Sequence, residues 1–177
     1  MKIITIIGAR PQFIKATVVS RAIIAMAKGG VEIEEKILHT GQHYDSNMSE
    51  LFFRQLDIPM PCWNLACGNN FEQMKASILP ILQAEKPDIV LVHGDTTTTF
   101  IAALAAFYNK IVVGHVEAGL RTWNKYSPYP EEMNRKLVTS IADIFFNNST
   151  YFSVDGCVDI HAQRVLTSVG DHVSCLY

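Results

Sequence analysis

The sequence predicts an α/β fold: a doubly wound parallel sheet with helices on both faces. Three observations carry this. Short β-branched or apolar runs recur along the chain, and the spans between them carry helical patterns. The runs do not alternate apolar with polar residues, so they are buried on both faces, as strands of a helix-covered parallel sheet are. Finally, 177 residues that are 49% hydrophobic and 18% charged are enough to bury a proper core.

Each element follows in order. Lys2 to Ile7 (KIITII) reads as the first strand, cut short by Gly8 and Arg10. Pro11 opens a helix at a position where its missing N–H does no harm, and Gly29-Gly30 closes it. Glu35 to Leu38 (EKIL) is the second strand, and Trp63 to Cys67 a weaker one. Asp88 to His93 (DIVLVH) leads into a helix beginning near Thr97. Lys110 to Val116 (KIVVGHV), a helix opened by Pro130 with Glu131 and Glu132 in its first turn, and Asp143 to Phe146 (DIFF) complete a Rossmann-like domain over residues 1–148. Residues 149–177 differ in character and read as a linker and the start of a truncated second domain. There is no internal repeat and no low-complexity run.

Composition narrows the function classes. A net charge of −2 lacks the basic excess of a nucleic-acid footprint, so any phosphate binding is local. The N-terminal apolar run is far below signal or membrane-spanning length, and a cytoplasmic protein is expected. Cys62, Cys67, Cys157 and Cys175 do not complete a zinc set, so idle thiols and no metal are expected.

Chemistry in such folds gathers beyond the carboxyl ends of the strands. The first such edge, GARPQFIK, places Arg10 at a turn, Lys15 on the helix, and helix N–H groups toward the same cleft, which suits an anion. It lacks the G-x-G-x-x-G spacing of dinucleotide sites. A surface arginine and a solvated helix lysine are the plain alternatives. The second edge, TGQHYD, offers Gln42 and His43 to hydroxyls or phosphate, although a polar loop ending in an Asp cap looks similar. The third, VHGDTTTTF, carries Asp95, either an acid–base carboxylate or a helix cap in competition with Thr96 and Thr97.

The stretch HVEAGLRTWNKYSPYPEEMNR, from His115 to Arg135, supplies partners. Glu117 lies beside Asp95 if the two strands are neighbours. Glu131 sits in the first turn of its helix, and Arg135, four residues on, can pair with it. Carboxylates converging on one cleft repel one another, which splits their proton affinities into an acid and a base.

Together GARPQFIK, TGQHYD, VHGDTTTT, VEAGLRT and PYPEEMNR resemble the non-hydrolysing UDP-N-acetylglucosamine 2-epimerases, over the chain to about Asp143. The resemblance implies the N-terminal half of a glycosyltransferase-B-type pair of Rossmann-like domains, with the active site between them. It implies elimination of UDP across C1 and C2 of the sugar to a glycal, then re-addition with the proton returned to the other face. Asp95, Glu117 and Glu131 would be the acid–base carboxylates; Arg10, Lys15, Gln42, His43 and Arg135 would bind UDP-N-acetylglucosamine. No metal or nicotinamide cofactor is implied. The family's second domain supplies most of the uridine and diphosphate grip, so the first half alone is expected to turn over little or not at all. Homodimers and an allosteric response to substrate are implied too; apolar surface around Phe52 and Phe53, in SELFFRQL, could serve a partner, although two adjacent aromatics are as readily one core and one packing residue.

Two other readings stand beside this one. The chain could be a non-catalytic nucleotide-sugar-binding module. Alternatively His93, Asp95, His115 and Glu117, all near adjacent strand ends, could form a metal-dependent hydrolase site, against which core or loop histidines are the plain reading.

Overall fold

The computed structural model describes residues 1–42 and 59–146 of the chain. Among these, β1 (Lys2–Ile7), β2 (Glu34–His39), β3 (Trp63–Asn64), β4 (Ile89–His93), β5 (Val112–Val116) and β6 (Ile144–Phe146) form one sheet in the order β3-β2-β1-β4-β5-β6. Every pairing is parallel. The weak strand expected over Trp63 to Cys67 shrinks to two residues; Ala66 beyond it has φ 48°, which breaks the extended backbone.

Alternation along β1 assigns each helix to a face. Ile4 and Ile6 join Leu38, Val90, Val92 and Val113 in the main core. That core is closed by α2 (Phe71–Glu85), α3 (Thr97–Tyr108) and α4 (Glu131–Ile141), through residues such as Met74, Ile78, Ile101 and Val138. Ile3 and Ile7 point the other way, onto α1 (Arg10–Lys28) through Phe13, Ala16 and Ile23. Both faces of the central strands are therefore dry, which is why their sequences read as unbroken apolar runs.

Helix ends follow local chemistry. α1 begins at Arg10, one residue before Pro11, and stops at Gly29. Asn70 caps α2, its side chain accepting from the Gln73 amide at 3.0 Å. Thr96 caps α3, accepting from the Thr99 amide at 3.3 Å. This leaves the Asp95 carboxylate available for something other than capping.

Candidate active site

Sheet order determines where the site falls. The chain reverses direction across the sheet between β1 and β4, and ligands of open α/β sheets bind beyond the carboxyl ends of the strands at such a point. The start of α1, just after β1, carries Arg10 and Lys15, the turn after β4 carries Asp95, and the turn after β5 carries Glu117. The structure thus brings together three of the edges singled out in the sequence.

The turns are locked to one another from beneath. Gln12, 2% exposed, accepts from the Gly8 and Ala9 amides at 2.7 and 2.9 Å through Oε1. Its Nε2 donates to the His93 carbonyl at 2.7 Å and to the Thr96 and Thr99 hydroxyls at 3.0 Å each. This corrects one expectation. The Gly8 and Ala9 amides serve Gln12, the Gln12 amide donates to Ala9 O, and Pro11 has none to offer, so these positions do not present N–H groups to the cleft. Gly8 is needed here because a Cβ would fall on the hydroxyls of Thr40 and Thr98, which bond each other at 2.8 Å.

Glu117 forms an ion pair with Lys15, both side chains remaining partly open to solvent. Its backbone is held at φ 65°, an unfavourable value for a residue with a Cβ, which costs of order 1–3 kcal/mol. The surroundings impose it: the Glu117 and Ala118 amides both converge on Phe146 O, at 2.8 and 3.2 Å. Gly94 gives the pair its space, since a Cβ there would stand 3.3 Å from Glu117 Oε2 and 3.8 Å from Lys15 Nζ. Beneath it, His115 Nε2 donates to Gly94 O at 2.7 Å.

Asp95 forms an ion pair with Arg135, and Asn134 Nδ2 donates to Asp95 O at 2.9 Å. The spacing-based pairing of Arg135 with Glu131 is not what forms. Arg135 instead meets Glu132, three residues back, at 3.1 Å, because Glu132 turns inward beneath the 118–130 loop while Glu131 stays half-exposed at the start of α4. Glu132 also accepts from the Thr122 and Trp123 amides at 3.0 and 3.3 Å. Burial pushes the Glu132 carboxyl up, but those amides and the Arg135 guanidinium outweigh it and hold the carboxyl below its usual range. Glu117 and Asp95, expected to repel one another, each have their own cation.

Gln42 is tied to the start of α3, its Oε1 accepting from the Thr98 amide at 3.1 Å and the Thr98 hydroxyl at 2.8 Å. Arg10 is exposed at the first residue of α1. His43, Phe52, Phe53, Cys157, Cys175 and the expected linker at 149–177 lie outside the described residues. Among those described, Cys62 and Cys67 are free thiols, and no three His, Cys, Asp or Glu side chains gather as a metal site. The metal-hydrolase reading therefore has no ligand set there. His93 and His115 are fully buried, and burial is the main cause that lowers them to about 3 and about 4, respectively. Among the described residues no helix is long and apolar enough to cross a membrane.

Sequence reasoning missed Gln12, Glu132 and Asn134. For Glu132 a signal existed: Glu132, Arg135 and Val138 recur at a helical spacing of three and are all buried on α4.

A parallel sheet of this order, with paired cations and carboxylates at its carboxyl edge, defines a Rossmann-like α/β domain. Comparison with known proteins specifies it further. A family model described as UDP-N-acetylglucosamine 2-epimerase matches residues 26–153, and the chain belongs to that family. It is 50% identical over 151 residues to the UDP-2,3-diacetamido-2,3-dideoxy-D-glucuronate 2-epimerase of Pseudomonas aeruginosa, a match spanning 82% of this chain and 41% of that protein. The crystal structure of Neisseria meningitidis UDP-GlcNAc 2-epimerase bound to UDP-GlcNAc superposes with a TM-score of 0.74 at 40% identity, covering 83% of this chain and 40% of the other. The chain thus spans about two-fifths of the length of these relatives. Acinetobacter baumannii MurG, at 15% identity and a TM-score of 0.52, shares the fold alone and agrees with a glycosyltransferase-B-type half.

Proposed function

We propose that the chain supplies the acid–base half of a 2-epimerase site for UDP-linked 2-acetamido sugars. The observation that carries this reading is the pair of ion pairs, Lys15 with Glu117 and Arg135 with Asp95, at neighbouring strand ends beside the sheet's switch point. The relatives' names share a UDP-linked 2-acetamido sugar and position 2, which supports this substrate class.

The chemistry follows from those groups. One carboxylate takes the C2 proton; the C–H electron pair forms the C1–C2 double bond as the C1–O bond breaks and UDP departs with it. A proton then returns to C2 from the opposite face and UDP re-adds at C1, so atoms balance with no redox partner. Lys15 and Arg10 meet the diphosphate charge, and fixed cations at a departing anion stabilise it most where water is excluded. Glu131, at the mouth of α4, belongs to the same acid–base set, and Gln42 and His43 to the sugar-nucleotide contacts. Arg135 keeps its assigned role in the site through its hold on Asp95. In this reading the protein works in the cytoplasm, as a homodimer, and without metal or nicotinamide.

The test is binding and proton exchange. UDP-GlcNAc should bind saturably, Lys15→Ala should weaken it about tenfold or more, roughly 1.4 kcal/mol, and in 2H2O the small fraction of sugar that this half alone epimerises should carry deuterium at C2. Binding without C2 exchange, as tight in Asp95→Asn as in the parent, favours the non-catalytic module. No binding at all sinks both readings.

A further inference from the structure

Among the described residues Glu132 is the one fully buried carboxylate. Its oxygens are fully engaged: Oε2 accepts from the Thr122 amide at 3.0 Å and from Arg135 Nη1 at 3.1 Å, and Oε1 accepts from the Trp123 amide at 3.3 Å. The other terminal nitrogen of the same guanidinium, Nη2, holds Asp95. A guanidinium is a rigid planar fork, so fixing one tine sets the direction of the other. Arg135 is itself 9% exposed, so it has little solvent to turn toward.

We infer that Glu132 is a positioning residue: it aims the Arg135 guanidinium at Asp95 and joins that aim to the conformation of the 118–130 loop. The inference rests on the reading of Asp95 as part of the acid–base set, and it adds a residue one position along from Glu131, the helix carboxylate that the sequence singles out. The direction of control is the content. Glu132 is buried and anchored by two backbone amides, whereas the Asp95 side chain is 23% exposed and has Arg135 as its ion-pair partner. The better anchored carboxylate orients the guanidinium, and the guanidinium orients the more exposed one. A ligand that displaces Arg135 from Asp95 would leave the cation still held, ready to re-pair.

The test reads Arg135 directly, without ligand. A guanidinium clamped by an anchored carboxylate rotates slowly about its Cζ–N bonds, so its Nη protons give separate NMR signals rather than one average. Separate signals should be present in the parent, persist in Asp95→Asn and average in Glu132→Gln, with the amide spectrum of β1 and α1 unchanged. Averaging in Asp95→Asn would mean that Asp95 is the anchor, and persistence in Glu132→Gln that Glu132 serves the loop alone; either overturns the inference. Should Glu132→Gln fail to fold, Asp95→Asn still decides, because its substitution lies at a partly exposed side chain. A second arm uses UDP-GlcNAc. Glu132→Gln should weaken binding several-fold, and in the Asp95→Asn background it should add little, because the path through Asp95 is already gone; full additivity counts against the inference. A parent that binds no UDP-GlcNAc would refute the proposed function while the ligand-free signals still report on Glu132.

Discussion

Gly94 shows how much a single position can carry. It adopts φ 68°, a region where an L-residue pays roughly 1–2 kcal/mol, and its missing side chain leaves room for Glu117 and Lys15. Gly94→Ala should therefore lower stability by about 1–2 kcal/mol and, by crowding Glu117 Oε2, weaken nucleotide-sugar binding beyond what the stability loss explains; urea melts and calorimetry on one preparation separate the two effects. The buried histidines make a different prediction. His93, with neither ring nitrogen hydrogen-bonded, is lowered to about 3, and His115 to about 4. An unfolded histidine titrates near 6.5, so below that pH the unfolded chain binds protons that the native chain refuses. Stability is then fully present above pH 6.5 and falls on acidification at about 1.4 kcal/mol per pH unit for each histidine, both acting down to about pH 4. Unfolding curves at pH 7, 6 and 5 should show this slope, and His93→Phe should make it shallower.

At the scale of elements, capping and tethering matter more than propensity. Thr96 starts α3 and also accepts from Gln12, so Thr96→Ala should cost about 1 kcal/mol for the cap and loosen the turn that presents Asp95. Gln12→Ala goes deeper, because it leaves the Gly8 and Ala9 amides without their partner in a buried setting. A loss on the order of 3 kcal/mol is expected, checked by chemical denaturation. The elements themselves were legible: β1, β4 and β5 coincide with the apolar runs, Gly29 ends α1, and α4 carries Glu131 and Glu132 in its first turn. The tethers were not. A glutamine inside a helix looks the same in sequence whether it faces water or bridges two turns, and only the position of β4 beside β1 puts His93 O within its reach.

The molecule as a whole turns a layered sheet into an edge with charge on it. One core lies under α2, α3 and α4 and two smaller clusters lie under α1, so the strands are clamped from both sides and their ends are held in register. In the proposed function that rigidity lets three separate segments present side chains to one ligand, since sites built on regular elements hold their geometry better than sites on free loops. If this edge receives a diphosphate through Arg10 and Lys15, affinity for UDP-GlcNAc should fall as salt rises, and the salt dependence should flatten in Lys15→Ala. Titrations at two ionic strengths check it; an unchanged salt dependence would move the diphosphate away from Lys15.

By itself the sequence determined the α/β class, the strand runs, the helix stops and the family, because burial period, turn residues and contiguous motifs are properties of neighbours along the chain. Only the tertiary structure decided which carboxylate meets which cation. Lys15 and Glu117 are separated by 102 residues and Asp95 and Arg135 by 40, so their pairing depends on strand order and register. The inward turn of Glu132 likewise depends on the 118–130 loop folding over it with two amides to offer, a condition that no local pattern states.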